Sequence, residues 1–507
     1  MTSFPAIYKL PEELLLQIAF QLPDSATPKH LKTLCLTSKT IRPAAQEALH
    51  TTAKLSISCG CHPKVNPVVK LLRTLFERPD LAPKVKTLRF RTVRKNIARL
   101  YEEQSFDLQR LRARCLLELK VLGYNPTHPW IRSLDNGIES AFAGVLLILL
   151  PNLNHLDLWV KDHYRGPPSS ECISGLFGTM SAPEVIVRAW DSVQHLTTGD
   201  THALKCGVAF NNLKSLDLKT ISIGTVLRLN GPRSLQGTEH LRDLSLTASI
   251  QFADRPLVEK AEINFHDLLD ALGCDKLSSL KILLVNDGYH IGGADLMTQL
   301  DAGYFMDQLS SVQDTLEDLA ITSELPDDEI ELEWLLEMWR QPKESLKSFV
   351  ALKHLVLPQA FLFATGSEAW VDANEYCRAT NLPSTLESLE ILYPHEDVEF
   401  WVADFMKNNS DDMPSISNLK EITLTCRDEV GTPSSFFTTE VAKIWWTLSA
   451  DLGIETFALC QTEGSRMNLA ELYHDERLEE SEGETDEDQD GWSDEDEEMP
   501  DLIDPIW

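Results

Sequence analysis

The residues whose types and spacing could do chemistry are few, and each group falls short of a site. Cys59, Cys61 and His62, in the stretch SCGCHP, gather two thiols and an imidazole as a zinc site would. A structural zinc needs four ligands at suitable spacing, and no second pair stands at such a distance. The segment NDGYHIGGAD from Asn286 contains glycine, but it lacks the lysine with which a phosphate-cradling loop neutralises its ligand. Asp327 and Asp328 pair two carboxylates, as acid–base work requires, yet they belong to PDDEIELE, which reads as a solvated loop and helix start. Neither G-x-S-x-G nor H-E-x-x-H occurs. The expectation is a protein that is no enzyme, takes no metal or cofactor, and acts by binding.

A binding protein needs a scaffold, and this chain repeats itself. The pattern Leu-x-x-Leu-x-Leu, allowing Ile, Val or Phe, appears as VKTLRF from Val85, LNHLDL from Leu153, LKSLDL from Leu213, LRDLSL from Leu241 and LKILLV from Leu280. It continues as LEDLAI from Leu316, LKHLVL from Leu352, LESLEI from Leu386, LKEITL from Leu419 and IETFAL from Ile454, with VQHLTT from Val193 a weaker example. From Leu213 the spacings are 28, 39, 36, 36, 34, 33 and 35 residues, the regularity of a solenoid. Each motif predicts a short strand with alternate residues facing inward. Helical periodicity lies between motifs, as in LVEKAEINFHDLLDALG and FMDQLSSVQDT. One such unit cannot cover its own apolar side, so neighbours must stack.

The array resembles an irregular leucine-rich-repeat solenoid, an α/β fold with parallel strands on the concave side and helices outside. Its units are longer than the usual repeat and lack the Asn/Cys ladder position. A fold of separate βαβ units is the competing reading, which the near-identity of the strand motifs disfavours. Residues between and just after the last leucines would line the concave face. They are Asp157, Trp159, Asp217, Lys219, Ser245, Thr247, Asn286, Thr322, Glu390, Thr423 and Thr425. Of these Asp157, Trp159, Asp217, Lys219, Thr247, Asn286, Glu390 and Thr425 are taken as candidate target contacts. Trp159 reads equally as an interface anchor or as packing beneath the adjoining loop.

Ahead of the repeats stands a different pattern. Pro11 suits a first helical position, and Glu12 and Glu13 put negative charge at the positive end of the helix dipole. Leu14, Ile18 and Leu22 then recur as one apolar stripe, widened by Leu15 and Ala19 and stopped by Pro23 and Asp24. Thr27 and Pro28 start a second helix, with Leu31, Leu34 and Cys35 on its buried side. A third helix begins after Ser38, with Ile41, Ala44, Ala45, Ala48 and Leu49 as its apolar set and Pro43 in its first turn. So small a unit can hardly be stable alone, and its Leu/Ile edges should rest on another chain or on the adjoining repeats.

These residues resemble the F-box of eukaryotic ubiquitin-ligase receptors. The match runs through Leu10, Pro11, Glu13, Leu14, Ile18 and Leu22, then Leu31, Leu34, Leu36, Ser38 and Lys39. The resemblance implies that this surface grips a Skp-type adaptor and, through it, a cullin–RING ligase, while the solenoid binds an unnamed protein target. The competing reading is an N-terminal cap on a repeat scaffold with no ligase role. The organisation expected is residues 5–52 as the F-box-like module, 53–470 as the solenoid and 471–507 as a disordered acidic tail.

Composition fits that division. The chain is 43% hydrophobic and 24% charged, ordinary for a soluble protein, and 507 residues predict more than one structural unit. AFAGVLLILL (141–150) is too short to span a bilayer and predicts a buried helix, and nothing at the N-terminus resembles a signal peptide. The ten cysteines have no framework spacing, which suits reduced thiols in cytosol or nucleus. A net charge of −32 disfavours nucleic acid as a partner. Half of it lies in residues 475–507, where seventeen Asp or Glu face one Arg477. Such a run should solubilise and stay unfolded. Ser481, Thr485 and Ser493 each have an acidic residue three positions on, as an acid-directed kinase requires, and MPDLIDPIW could anchor in a partner's groove.

Overall fold

Each leucine motif becomes a strand, because alternate side chains then share one buried side. The computed structural model describes residues 10–21, 27–55, 65–103, 105–161, 192–199, 212–221, 238–253, 265–285, 300–323, 339–340, 345–363, 382–394, 398, 401, 418–426, 452–460 and 466–468. Within them lie β1 (Thr52–Leu55), β2 (Thr87–Val93), β3 (His155–Lys161), β4 (His195–Thr198), β5 (Ser215–Ile221), β6 (Asp243–Ser249), β7 (Ser279–Val285) and β8 (Leu300–Asp301). Then come β9 (Asp318–Ser323), β10 (Trp339–Arg340), β11 (His354–Pro358), β12 (Ser388–Leu392), β13 (Glu421–Cys426), β14 (Glu455–Cys460) and β15 (Arg466–Asn468). All but β8 and β10, which pair with each other, form one sheet whose strand order matches chain order. The first twelve strands are parallel and only β15 runs against its neighbour. The protein is thus an α/β chain of stacked units, a solenoid-like arrangement.

The register explains the repeat. Leu88, Leu156, Leu196, Leu216, Leu244, Leu280, Leu319, Leu355, Leu389 and Ile422 stand beside one another across the sheet, all buried. A second ladder two residues on runs from Phe90 through Leu158, Leu218, Leu246, Ile282, Ile321, Leu357 and Ile391 to Leu424. Just before the interior strands, from β2 to β12 of the main sheet, one carbonyl accepts two N–H groups of the next unit. Lys86 O takes those of Asn154 and His155, and Lys353 O takes those of Glu387 and Ser388. One frame differs from the sequence reading. Ser279 pairs with Asp243 and Asp318, so the unit starts at Leu277 (LSSLKI) rather than Leu280. The segment after β8 is also less helical than its periodicity predicts, turning from Gln308 to Thr315 after one short helix.

Three helices precede the sheet: α1 (Glu12–Phe20), α2 (Thr27–Thr37) and α3 (Arg42–Thr51), the last with Pro43 in its first turn. They enclose a small core of Leu15, Ala19, Leu31, Ile41, Ala44, Ala45 and Ala48, distinct from the core of the sheet. Attachment to the array runs through α3. Thr51 O accepts from Lys86 N, and Glu47 pairs with Lys84 at 2.7 Å.

Between β1 and β3 the chain builds α4 (Pro67–Glu77), α5 (Ala98–Glu103), α6 (Leu108–Val121), α7 (Pro129–Asp135) and α8 (Glu139–Ile148). As the apolar run predicts, α8 is buried from Glu139 to Leu147. The indole of Trp130, fully buried, donates to Ala141 O at 2.9 Å. Further on, α9 (Phe265–Leu272) and α10 (Ala302–Asp307) add Phe265 and Phe305 to the core. Among the described residues no helix is long and apolar enough to cross a membrane. The cysteines Cys115, Cys274 and Cys426 form no disulfide and are buried, as core fillers would be.

One charged side chain lies deep in this helical region. Glu139 is 1% exposed and accepts four hydrogen bonds: from Asn66 Nδ2 at 2.6 Å, Thr92 Oγ1 at 3.2 Å, Val93 N at 3.1 Å and Tyr101 OH at 3.0 Å. Asn66 in turn caps α4, its side chain accepting from Val68 N, and its backbone N–H donates to the Tyr101 hydroxyl. Burial raises the Glu139 pKa, and the four donors offset part of that rise. The carboxylate ties α4, β2, α5 and α8 together.

Candidate functional site

Two surfaces could bind. The first is the edge of the three-helix unit. On α1 the side turned to the core carries Leu15 and Ala19, which leaves Leu14 43% exposed, Ile18 45% and Phe20 48%. On α2, Leu36 is 82% exposed. These apolar side chains are not used by the unit's own core.

The residues singled out by sequence divide accordingly. Pro11, Glu13 and Lys39 are exposed with Leu14, Ile18 and Leu36, while Leu10 and Leu34 are half-buried against the small core. Two assignments are corrected. Leu31, 2% exposed, is a core residue, because α2 needs one apolar position against α1 and α3. Ser38 is buried and accepts from Ile41 N at 3.3 Å, bracing the turn into α3. Leu22 lies outside the described residues.

The second surface is the sheet face opposite the leucine ladders. Asp157, Trp159, Asp217, Lys219, Thr247 and Glu390 are all half-buried on it. Register aligns Arg89, Asp157, Thr197, Asp217, Ser245, Lys281, Ala320, Val356 and Glu390 in one lateral row. The shifted frame of β7 puts Lys281 and Leu283 on this face, and Leu283 is 37% exposed. Those two positions were hidden in the sequence by the overlapping motif. Asn286, chosen from that motif, lies outside the described residues. Thr425 is a further correction, since it is buried, as is Thr423. Its hydroxyl donates to Glu390 on the adjacent strand.

Local contacts hold several of these side chains. Lys219 pairs with Asp217 at 2.9 Å. Trp159 Nε1 donates to Asp157 Oδ1 at 2.7 Å, and Arg91 lies over the indole, 5.4 Å from its centroid. Arg89 reaches the same Asp157 at 2.7 Å. The indole lies against Gly199, where a Cβ would come within 2.7 Å of the ring. Gly199→Ala is therefore expected to displace Trp159 and cost about 1–3 kcal/mol, checked by denaturant unfolding; a loss below about 0.5 kcal/mol would contradict this packing. At the start of β3 and β4 His155 and His195 stack at 4.2 Å, and burial, then the neighbouring ring, lowers the pKa of His155.

Among the described residues no group of His, Cys, Asp or Glu could hold a metal ion. Cys59, Cys61, His62, Asp327 and Asp328 lie outside them, as do the phosphorylation candidates Ser481, Thr485 and Ser493. No family model matches this chain, and no curated protein matches it.

Proposed function

We propose that this chain is a substrate receptor of a cullin–RING ubiquitin ligase. Its three-helix unit, read as an F-box, docks a Skp-type adaptor, and its leucine-rich-repeat-like array holds a protein target on the strand face. The supporting observation is the exposure of Leu14, Ile18 and Leu36 on a unit that already has its own core. A cap serving only the array would bury that stripe against the sheet, whereas the attachment here uses Glu47 and Thr51 of α3. The mechanism is proximity: a target held near a charged conjugating enzyme meets it at high effective concentration, with no chemistry in this chain.

The test is affinity capture of the full chain by purified Skp-type adaptor, beside Leu36→Glu. A charge at an apolar contact should weaken capture at least about tenfold, and Leu36 is too exposed for the change to disturb folding. Equal capture of parent and variant would show that the adaptor does not use this edge.

A further inference from the structure

The charge of this chain is divided sharply along its length. Residues 51–122 hold sixteen Lys or Arg against six Asp or Glu, in a chain of net −32. Part of this positive block is displayed where the sheet begins. Lys54 on β1 stands in register with Arg89 on β2, and Arg91 comes next on the same face, all three exposed. Beyond β3 the row alternates in sign through Asp217, Lys281 and Glu390, so among the described residues of this row it is at this end that cations stand on adjacent strands.

The patch is preset. Arg91 is stacked on an indole fixed by Gly199 and Asp157, and Arg89 is steadied by the same carboxylate. Asp157 sets one carboxylate against two guanidinium groups and leaves an excess of positive charge around an apolar ring. Guanidinium groups fit carboxylates in pairs, and the half-buried indole beside them adds apolar surface. The ligand chemistry is therefore an acidic segment with interspersed apolar residues.

We propose that this end of the sheet docks the chain's own acidic segment, residues 475–507. That segment holds seventeen Asp or Glu against one Arg, with Leu502, Ile503, Ile506 and Trp507 beside its last carboxylates. Reach is sufficient. Twelve strands at about 4.8 Å span about 53 Å, and an extended chain covers that in about 16 residues; thirty-eight lie between Asn468 and Trp507. Tethering gives the segment a local concentration near the millimolar range, so it occupies the site ahead of most free ligands. While docked, it withholds Trp159 and its neighbours from any target.

The test is zero-length carbodiimide coupling on the full chain at physiological salt, read by mass spectrometry. Lys54 should join carboxylates of 475–507 at least about tenfold more than the exposed Lys214, Lys276 and Lys347 do. The preference should vanish in Arg89→Glu with Arg91→Glu, and in the parent at about 1 M salt, where screening leaves only about 3 Å of range. Coupling spread evenly over these lysines, or unchanged in the double variant, would overturn the proposal. So would products of mixed isotope from labelled and unlabelled chains, which place the contact between copies.

Discussion

Leu14→Asp combined with Ile18→Asp is expected to lower adaptor affinity by more than about a hundredfold while leaving the unfolding of the chain unchanged. Each side chain contributes about 1.5–3 kcal/mol when fully covered by a partner, and each carboxylate adds a desolvation cost, so together they exceed the 2.7 kcal/mol or so that a hundredfold requires. The fold has little to lose, because both residues are nearly half exposed and the core side of α1 is carried by Leu15 and Ala19. Leu15→Asp is the matching control. It puts a charge into the core of the three-helix unit and should abolish binding by unfolding it, visible as lost helical signal. A double variant that binds as well as the parent would remove the basis for reading this edge as an adaptor surface.

The largest effect on stability is expected at Glu139. Glu139→Ala strands the donors Asn66 Nδ2, Val93 N and Tyr101 OH in a region without solvent, and should cost about 3–5 kcal/mol in denaturant unfolding of the full chain. Glu139→Gln keeps the shape and the Oε1 acceptor and should cost less. The pair also separates in pH. Because the folded protein raises the pKa of Glu139 above its ordinary 4.5, the proton-linked stabilisation is present below that value and is lost as pH rises through the shifted one. The advantage of the parent over the Gln variant should therefore be greatest at and below about pH 4.5 and shrink toward neutrality. A constant difference would mean that Glu139 titrates as an ordinary carboxylate.

The strands were legible in the sequence because the two ladders demand leucine at fixed positions. VQHLTT, weak as a motif, still forms β4, where Thr198 replaces the second ladder leucine and is buried in its stead. The misframed β7 arose because LSSLKILLV contains two overlapping matches, and only pairing with Asp243 and Asp318 decides between them. β1 went unread because TAKL has one buried residue, Ala53, and no leucine ladder. Caps and prolines gave the three N-terminal helices, but periodicity could not tell which side of α1 faces inward. The stripes Leu14/Ile18 and Leu15/Ala19 are one residue apart and both apolar, so only packing assigns one to the core and the other to solvent. Leu31 was legible as the buried side of α2, whereas Ser38, polar and in a turn, carried no sign that it is buried. Thr425 shows the converse limit, a position that alternation places on the strand face and that is nonetheless buried.

A calorimetric titration of purified Skp-type adaptor into the folded full chain tests adaptor docking without any intermediate readout. The expected result is saturable one-to-one binding whose heat capacity change is negative, as burial of Leu14, Ile18 and Leu36 requires. Absence of binding by a chain that still shows a cooperative unfolding transition would contradict it, and would leave the array as a scaffold capped by three helices.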